Sequence, residues 1–281
     1  MASKSSRKIS RSSRTNPLKT AGITKRYTKQ LLAGFRSFRV LAVDTLKQSR
    51  GLSVRGLEIS PYNLEYIAEE MIRLTNSEIL SPAPGIIEGN IPEAYNQGVI
   101  FGETQLAKIG VRIAVGAGGP VDTNVVNLLK TKNLTGLKGI TEEMNKQINQ
   151  QLAEGILNGE SFPKLAERIT GRVDSIGITR AQTLARTEVQ VAANRAADTR
   201  YAQAGIEYAE WLTANDDRVS DQDLNKNGII FRLADGITAG YLAGQGYTPL
   251  DGAALPPSHP NCRCAVVPVT ESEVRARGLI E

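Results

Sequence analysis

Histidine, cysteine and aromatic side chains are scarce in this 281-residue sequence. It holds one histidine, His259, one tryptophan, Trp211, and two cysteines, Cys262 and Cys264, while Phe, Trp and Tyr together make up 5%. Any imidazole chemistry must therefore use His259. Two cysteines separated by one residue cannot act as a disulfide framework, so nothing points to an oxidising compartment. With so few aromatics, a core must be built from Leu, Ile, Val and Ala. No apolar run approaches the roughly 20 residues that span a bilayer, so no membrane span is expected. The basic N-terminus is not followed by an apolar stretch, and a secretory signal is not expected either. The Gly-x-Ser-x-Gly elbow and the dinucleotide-binding glycine fingerprint are both missing.

What is present begins with charge. Hydrophobic content is 41% and charged content 22%, ordinary for a globular protein, and the length suits one large domain or two smaller ones. Thirteen of the 34 Lys and Arg residues and a single acid, Asp44, fall in residues 1–50. That segment carries +12, which leaves −7 for the rest of the chain. Residues 1–16 are a Ser/Arg/Lys tract with little to bury, so they are expected to stay flexible until something anionic neutralises them. Lys4, Arg7, Lys8, Arg11 and Arg14 are the candidate contacts to nucleic-acid phosphate or an acidic partner. A solubilising tail is the other reading.

Periodicity places helices next. Leu31, Phe35, Phe38, Ala42 and Leu46 fall on one face at spacings of three and four, which predicts a helix over 27–50. Leu64, Ile67, Met71 and Leu74 repeat the pattern over 62–75. Residues 81–92 read as a Pro/Gly connector, with Pro92 in the first turn of a helix over 93–110, and Gly-rich 116–120 reads as a turn. A short helix near 121–131 and a glycine-containing link follow. Thr141 is then expected to cap a helix carrying Met144, Ile148, Leu152 and Ile156 that Gly159 ends. Ser161 caps a shorter helix through Leu165 and Ile169, and a long one over 178–204 carries Leu184, Glu188, Val191 and Ala192. Beyond Gly205 the period changes to two. Residues 206–213, 228–233 and 264–269 are strand candidates, and the Gly/Pro-rich loop 235–260 is long for a compact domain. The fold class is therefore α+β, mainly helical, with a small antiparallel β-sheet in the C-terminal third.

Candidate chemistry is thin. Asp216-Asp217 and Asp221/Asp223 lie in a polar turn, where solvated acids are the default. The sequence PPSHPNCRC at 256–264 places His259, Cys262 and Cys264 within six residues, an imidazole and two thiols of the kind zinc accepts. Asp216 or Asp223 would have to supply a fourth ligand. Two buried thiols beside a run in which Pro256, Pro257 and Pro260 stiffen the chain are the competing reading. No cofactor is expected, and structural zinc is the one candidate. A metal-dependent nuclease or other hydrolase using His259 with Asp216 and Asp223 is the alternative function, and a plain nucleic-acid-binding protein a third.

An ordered set of motifs then stands out. It runs Ala185-Arg186-Thr187-Glu188, Asn194, Tyr201, Gly205, Trp211-Leu212-Thr213, Asp216-Asp217-Arg218-Val219, Gly228 and Pro256-Pro257-x-His259-Pro260-x-Cys262-Arg263-Cys264. The set resembles the Mu F-like family of head-morphogenesis, or minor head, proteins of tailed bacteriophages, over about residues 141–270. The link Asn158-Gly159-Glu160-Ser161 before Leu165-Ala166 is similar to that family too. The resemblance implies a minor capsid component and not an enzyme, made in the host cytoplasm and enclosed in the virion. Its implied partners are the portal protein, other capsid or scaffold components and packaged DNA, with which some members leave the particle. It divides the chain into a flexible basic arm (1–26), a helical N-terminal region (27–140) and a Mu F-like helical plus β-sheet domain (141–281). Asp223 stands where family members often carry His or a second Cys, so only a carboxylate is available to complete a zinc site. Physically, Arg186 is expected to reach Asp216, and Glu188 to reach Arg218 or Arg263, pinning the long helix to the sheet. Trp211 is expected as a buried anchor with its indole nitrogen bonded.

Overall fold

A computed structural model describes residues 16–49, 61–111, 122–214, 219–249 and 254–281. The arm residues Lys4, Arg7, Lys8, Arg11 and Arg14, the Gly-rich turn at 116–120, and Asp216 and Arg218 lie outside the described residues. The chain is mainly helical, in the order α1 (Ala21–Ser49), α2 (Pro61–Thr75), α3 (Ala83–Glu88), α4 (Ile91–Lys108), α5 (Thr123–Leu157), α6 (Phe162–Arg172) and α7 (Thr179–Gln203). Then come β1 (Tyr208–Leu212), α8 (Asp221–Lys226), β2 (Ile230–Arg232), α9 (Gly236–Ala239), β3 (Ala265–Val269) and α10 (Glu271–Ala276). Single π-helical segments, Asn76–Leu80 and Val173–Ile178, follow α2 and α6. The α+β class with one small antiparallel sheet is as the periodicities predict.

The chain divides into two compact units, one drawing on Met1–Ile23, Ile91–Val126 and Thr187–Glu281, the other on Thr24–Asn90 and Asn127–Arg186. Among its described residues the second unit has helices and no strand. The stripe expected on α1 is buried from Leu31 to Leu46, and Tyr27 extends it, its hydroxyl donating to Asn133 Oδ1 at 3.0 Å. Met144, Ile148 and Leu152 of α5 and Leu165 and Ile169 of α6 complete that core. Gly159, at φ +63°, ends α5, and Ser161 stands at the N-cap of α6. Arg168 then closes the link between them: its Nε and Nη2 donate to the two Glu160 oxygens at 2.6 Å each, and its Nη1 to Gln151. Both oxygens are engaged, a fork that fixes direction as well as distance.

Two expectations for this half need correction. The stretch from 123 to 157 is one 35-residue helix, so Thr141 caps nothing and instead donates its hydroxyl to the Lys138 carbonyl. The position 140/141, expected as a boundary, lies inside that helix. The 81–92 connector contains a helix of its own, α3, whose Pro84 falls in the first turn where no amide is needed.

The other unit carries the sheet, in the order β2-β1-β3, antiparallel throughout. Tyr208 pairs with Arg232 on one side and Val269 on the other, and Trp211 faces Val266 in register. Alternation works as expected: Ala209 and Trp211 enter the larger core with Phe231, Val266 and Tyr201, while Tyr208 joins Ile230, Val269 and Val274 on the opposite face. The free side of β2 is closed by Gln245, whose amide accepts from the Ile230 N–H at 2.8 Å and donates to its carbonyl at 2.7 Å. That side chain reproduces both bonds of a missing strand.

In the same unit the buried face of α7 is a ridge of Val189, Ala192, Ala193, Ala196, Ala197 and Tyr201, and Val191 is only half-buried. Small residues let α4 close in, so that a Cβ built on Gly98 would stand 2.0 Å from the Ala193 carbonyl oxygen. Asp198 sits beside this ridge with Oδ1 sealed from solvent and unbonded. Burial raises its pKa from 3.8 to about 7, against the pull of Arg195. An acid raised in the folded state costs nothing below its unfolded pKa. The cost grows as pH climbs from about 4 to 7 and is constant above that range. Asp198→Asn is therefore expected to melt at a higher temperature than the parent at pH 8, with the gain vanishing towards pH 4. A gain independent of pH would contradict this origin.

Candidate functional site

The hook from Pro256 to Cys264 folds against α8, through Asp223 and Lys226, and against Trp211 of β1. Ser220 caps α8, its Oγ accepting from the Asp223 N–H at 3.2 Å, and so aims the Asp223 side chain inward. Gly228, at φ +84°, turns the chain into β2 while its N–H donates to the Trp211 carbonyl at 2.8 Å. The Asn227 side-chain oxygen accepts from both the N–H and the hydroxyl of Thr213. On the hook, the Pro256-Pro257 peptide is cis and Asn261 has φ +63°. The Asn261 N–H donates to Thr187 Oγ1 at 3.1 Å.

These constraints bring four candidate ligands together. Asp223, Cys262 and Cys264 are buried, and their ligand atoms lie within 4.8 Å of one another. His259 Nε2 stands 2.7 Å from Asp223 Oδ2, and Cys262 Sγ 3.6 Å from the same oxygen. The other carboxylate oxygen, Oδ1, accepts from Ser258 Oγ at 3.2 Å and from Lys226 Nζ at 3.4 Å. Because a carbonyl can only accept, His259 Nδ1 carries its proton towards the Pro260 oxygen, 2.8 Å away.

Electrostatics follow the geometry. Burial pushes the Asp223 carboxyl up, but the hydrogen bond and charge of His259, with Cys264 and Lys226, hold it below its usual value. For His259 burial acts downward, and the Pro260 carbonyl and Asp223 outweigh it, so its pKa is raised. The Cys264 thiol leans on Cys262, which lowers Cys262 to about 6 and drives Cys264 up. Trp211 is fully buried with its Nε1 hydrogen-bonded to no protein nitrogen or oxygen, and it adjoins the Cys264 sulfur, whose ionised form it favours. The expectation that this indole nitrogen finds a conventional partner is thereby corrected. Lys226, 1% exposed, lies 5.0 Å from the indole ring, which faces the cation.

The remaining motif residues divide. Asn194 donates to the Cys264 carbonyl at 3.1 Å, and Tyr201 to that of Val266 at 3.2 Å, so α7 is fastened to the end of the hook and to β3. Glu188 is buried and Arg263 half-buried, whereas Arg186 is exposed on its helix. Asp223, read as a solvated turn acid, is 2% exposed because Ser220 and the hook enclose it. Thr187, Ser258 and Lys226 were given no role from sequence, although Thr187 sits within the quoted motif. Nothing local marks a serine or lysine that acquires its role only when residues more than 30 positions away fold onto it.

Hydrogen bonds from Asn194, Tyr201, Ser258 and Asn261 join helix, strand and hook, which defines a self-fastened helical-plus-sheet module. The segment that contains it, residues 146–267, matches the family model described as Phage Mu protein F like protein. The minor head protein GP7 of Bacillus phage SPP1 is 27% identical over 135 residues, covering 47% of this chain and 43% of that protein. The chain thus matches less than half the length of that curated relative. No solved structure gives a significant match. The resemblance to tailed-phage minor head proteins drawn from the motif set is confirmed by both likenesses. Among the described residues no helix is long and apolar enough to cross a membrane.

Proposed function

We propose that this protein is a minor capsid component of a tailed bacteriophage. It acts in head morphogenesis near the portal vertex, and its basic arm contacts packaged DNA. The observation that carries the reading is the ordered motif set within 146–267, supported by the match of that segment to a phage minor head protein. The geometry fits a docking role: Asn194, Tyr201 and Thr187 all bond the sheet or the hook and leave a rigid surface to present. The portal protein and other head or scaffold components are the partners this predicts, and the virion the location.

Two experiments test it. Electron cryo-microscopy of particles should place the chain inside the head or at the portal vertex, and a particle lacking it everywhere would reject the reading. Separately, removal of residues 1–15, which keeps the buried Leu18 and all of α1, is expected to weaken DNA binding. If all five of Lys4, Arg7, Lys8, Arg11 and Arg14 meet phosphate, the slope of log K against log salt should flatten by about 4.5. An unchanged slope would reject the arm as the DNA contact.

One observation favours the hydrolase alternative, the 2.7 Å pair between Asp223 and the half-exposed His259. It predicts turnover of DNA or peptide that chelator and His259→Ala both abolish. Inactivity with added Mg or Zn would remove it.

A further inference from the structure

The geometry points to a structural zinc centre in which Asp223, His259, Cys262 and Cys264 are the four ligands. Given ordinary zinc bond lengths, ligand atoms on a tetrahedral ion stand about 3.3–3.8 Å apart. Cys262 Sγ and Asp223 Oδ2 already lie at 3.6 Å, and the three buried groups fall within 4.8 Å of one another. A small inward movement of the sulfurs and a widening of the His259–Asp223 contact would seat the ion.

The surroundings are built as a metal site requires. Asp223 offers Oδ2 to the cluster while Ser258 and Lys226 hold Oδ1, which leaves a single oxygen for the ion. His259 spends Nδ1–H on the Pro260 carbonyl, so that Nε2, once deprotonated, presents its lone pair. The buried indole N–H of Trp211, without a nitrogen or oxygen partner, adjoins Cys264, and a thiolate there would give it an acceptor. Charge also closes. Two thiolates, one carboxylate, the zinc dication and the Lys226 ammonium sum to zero, which suits a site whose charged groups are buried. With four protein ligands and three of them buried, no open position remains for substrate, so the centre is structural and fastens the hook to α8.

The test uses the full chain, purified under reductant. Elemental analysis is expected to find one zinc per chain. Cobalt titration should saturate at one equivalent, with a thiolate-to-cobalt charge-transfer band and the visible bands of tetrahedral cobalt. Cys262→Ser, Cys264→Ser and Asp223→Asn should each weaken binding by more than the ~100-fold upper range seen for outer-shell partners. His259→Ala should keep the charge-transfer band and lose affinity. Trp211→Phe, which removes the N–H and keeps most of the apolar volume, should cost about tenfold. A folded wild-type chain that takes up no metal, while both thiols react freely with a thiol reagent, would overturn the assignment. So would a charge-transfer band that persists at full intensity in Cys264→Ser. This outcome is independent of where the protein sits in a particle.

Discussion

Trp211→Ala is expected to destabilise the sheet-bearing unit by about 3–5 kcal/mol, the largest loss of any single truncation in the chain. Trp211 is the only tryptophan, it is fully buried, and it sits among Phe231, Tyr201, Cys262, Cys264 and Val266. Its ring is 6.5 Å from that of Phe231, and Lys226 lies over it. Truncation leaves a cavity between strand and hook, and it strips a buried ammonium of its aromatic face. Neither end can relax to fill the space, because β1 is paired on both sides and the hook is fastened through Asn261. Urea unfolding followed by far-UV circular dichroism reads the loss, and a change below about 1 kcal/mol would show that the ring is not an anchor. Trp211→Phe separates packing from polarity. It keeps most of the apolar volume and gives up an N–H that bonds no nitrogen or oxygen, so its cost should be far smaller.

The second large effect comes from adding a single carbon. At Gly98 a new Cβ would stand 2.0 Å from the Ala193 oxygen and 2.7 Å from its Cα, both backbone atoms that no rotamer change can move. Gly98→Ala should therefore push α4 from α7 and cost 1–3 kcal/mol or more, despite the better helix propensity of alanine. Gly102→Ala, whose nearest contact would be 3.2 Å, is expected to cost less. Gly139→Ala, in the middle of α5 with nothing within 4 Å, should instead stabilise by roughly 0.5–1 kcal/mol. The three variants run side by side in thermal melts form one comparison. If Gly98→Ala melted with Gly139→Ala, the close approach of α4 and α7 would be wrong.

Glycine is also where sequence and structure part. The link expected between 131 and 141 is helical because Gly136 is not a breaker there. A Cβ on it would meet Leu184 Cδ1 at 3.0 Å, so the residue serves packing, and no local pattern separates that use from a turn. On α7, Glu188 and Ala192 are buried while Leu184 and Val191 are only half-buried, for a related reason. Hydrophobicity favours Leu184 and Val191, but a close helix crossing selects alanine. Elements that bury one broad face, such as α1, and strands with clean alternation, such as β1, were legible because a single periodicity sets them. The cluster at the hook was half legible. His259, Cys262 and Cys264 announce themselves by spacing, and Asp223 by being one of few acids available. Ser258, Lys226 and Thr187 take their meaning from neighbours distant in sequence, and the tie expected from Arg186 ends on Asp216, outside the described residues.

The order of segments in the sheet-bearing unit has a consequence for synthesis. Its helix α4, Ile91–Lys108, leaves the ribosome long before β3 at Ala265–Val269, and β1, the central strand, waits for that last partner while some 50 further residues are made. Until then one edge of β1 is open to any strand that passes. The other unit, complete by Arg186 and without a strand among its described residues, has no such delay. A nascent chain stalled just short of Ala265 should thus be the species most prone to aggregate, and quick completion of translation would itself protect the product.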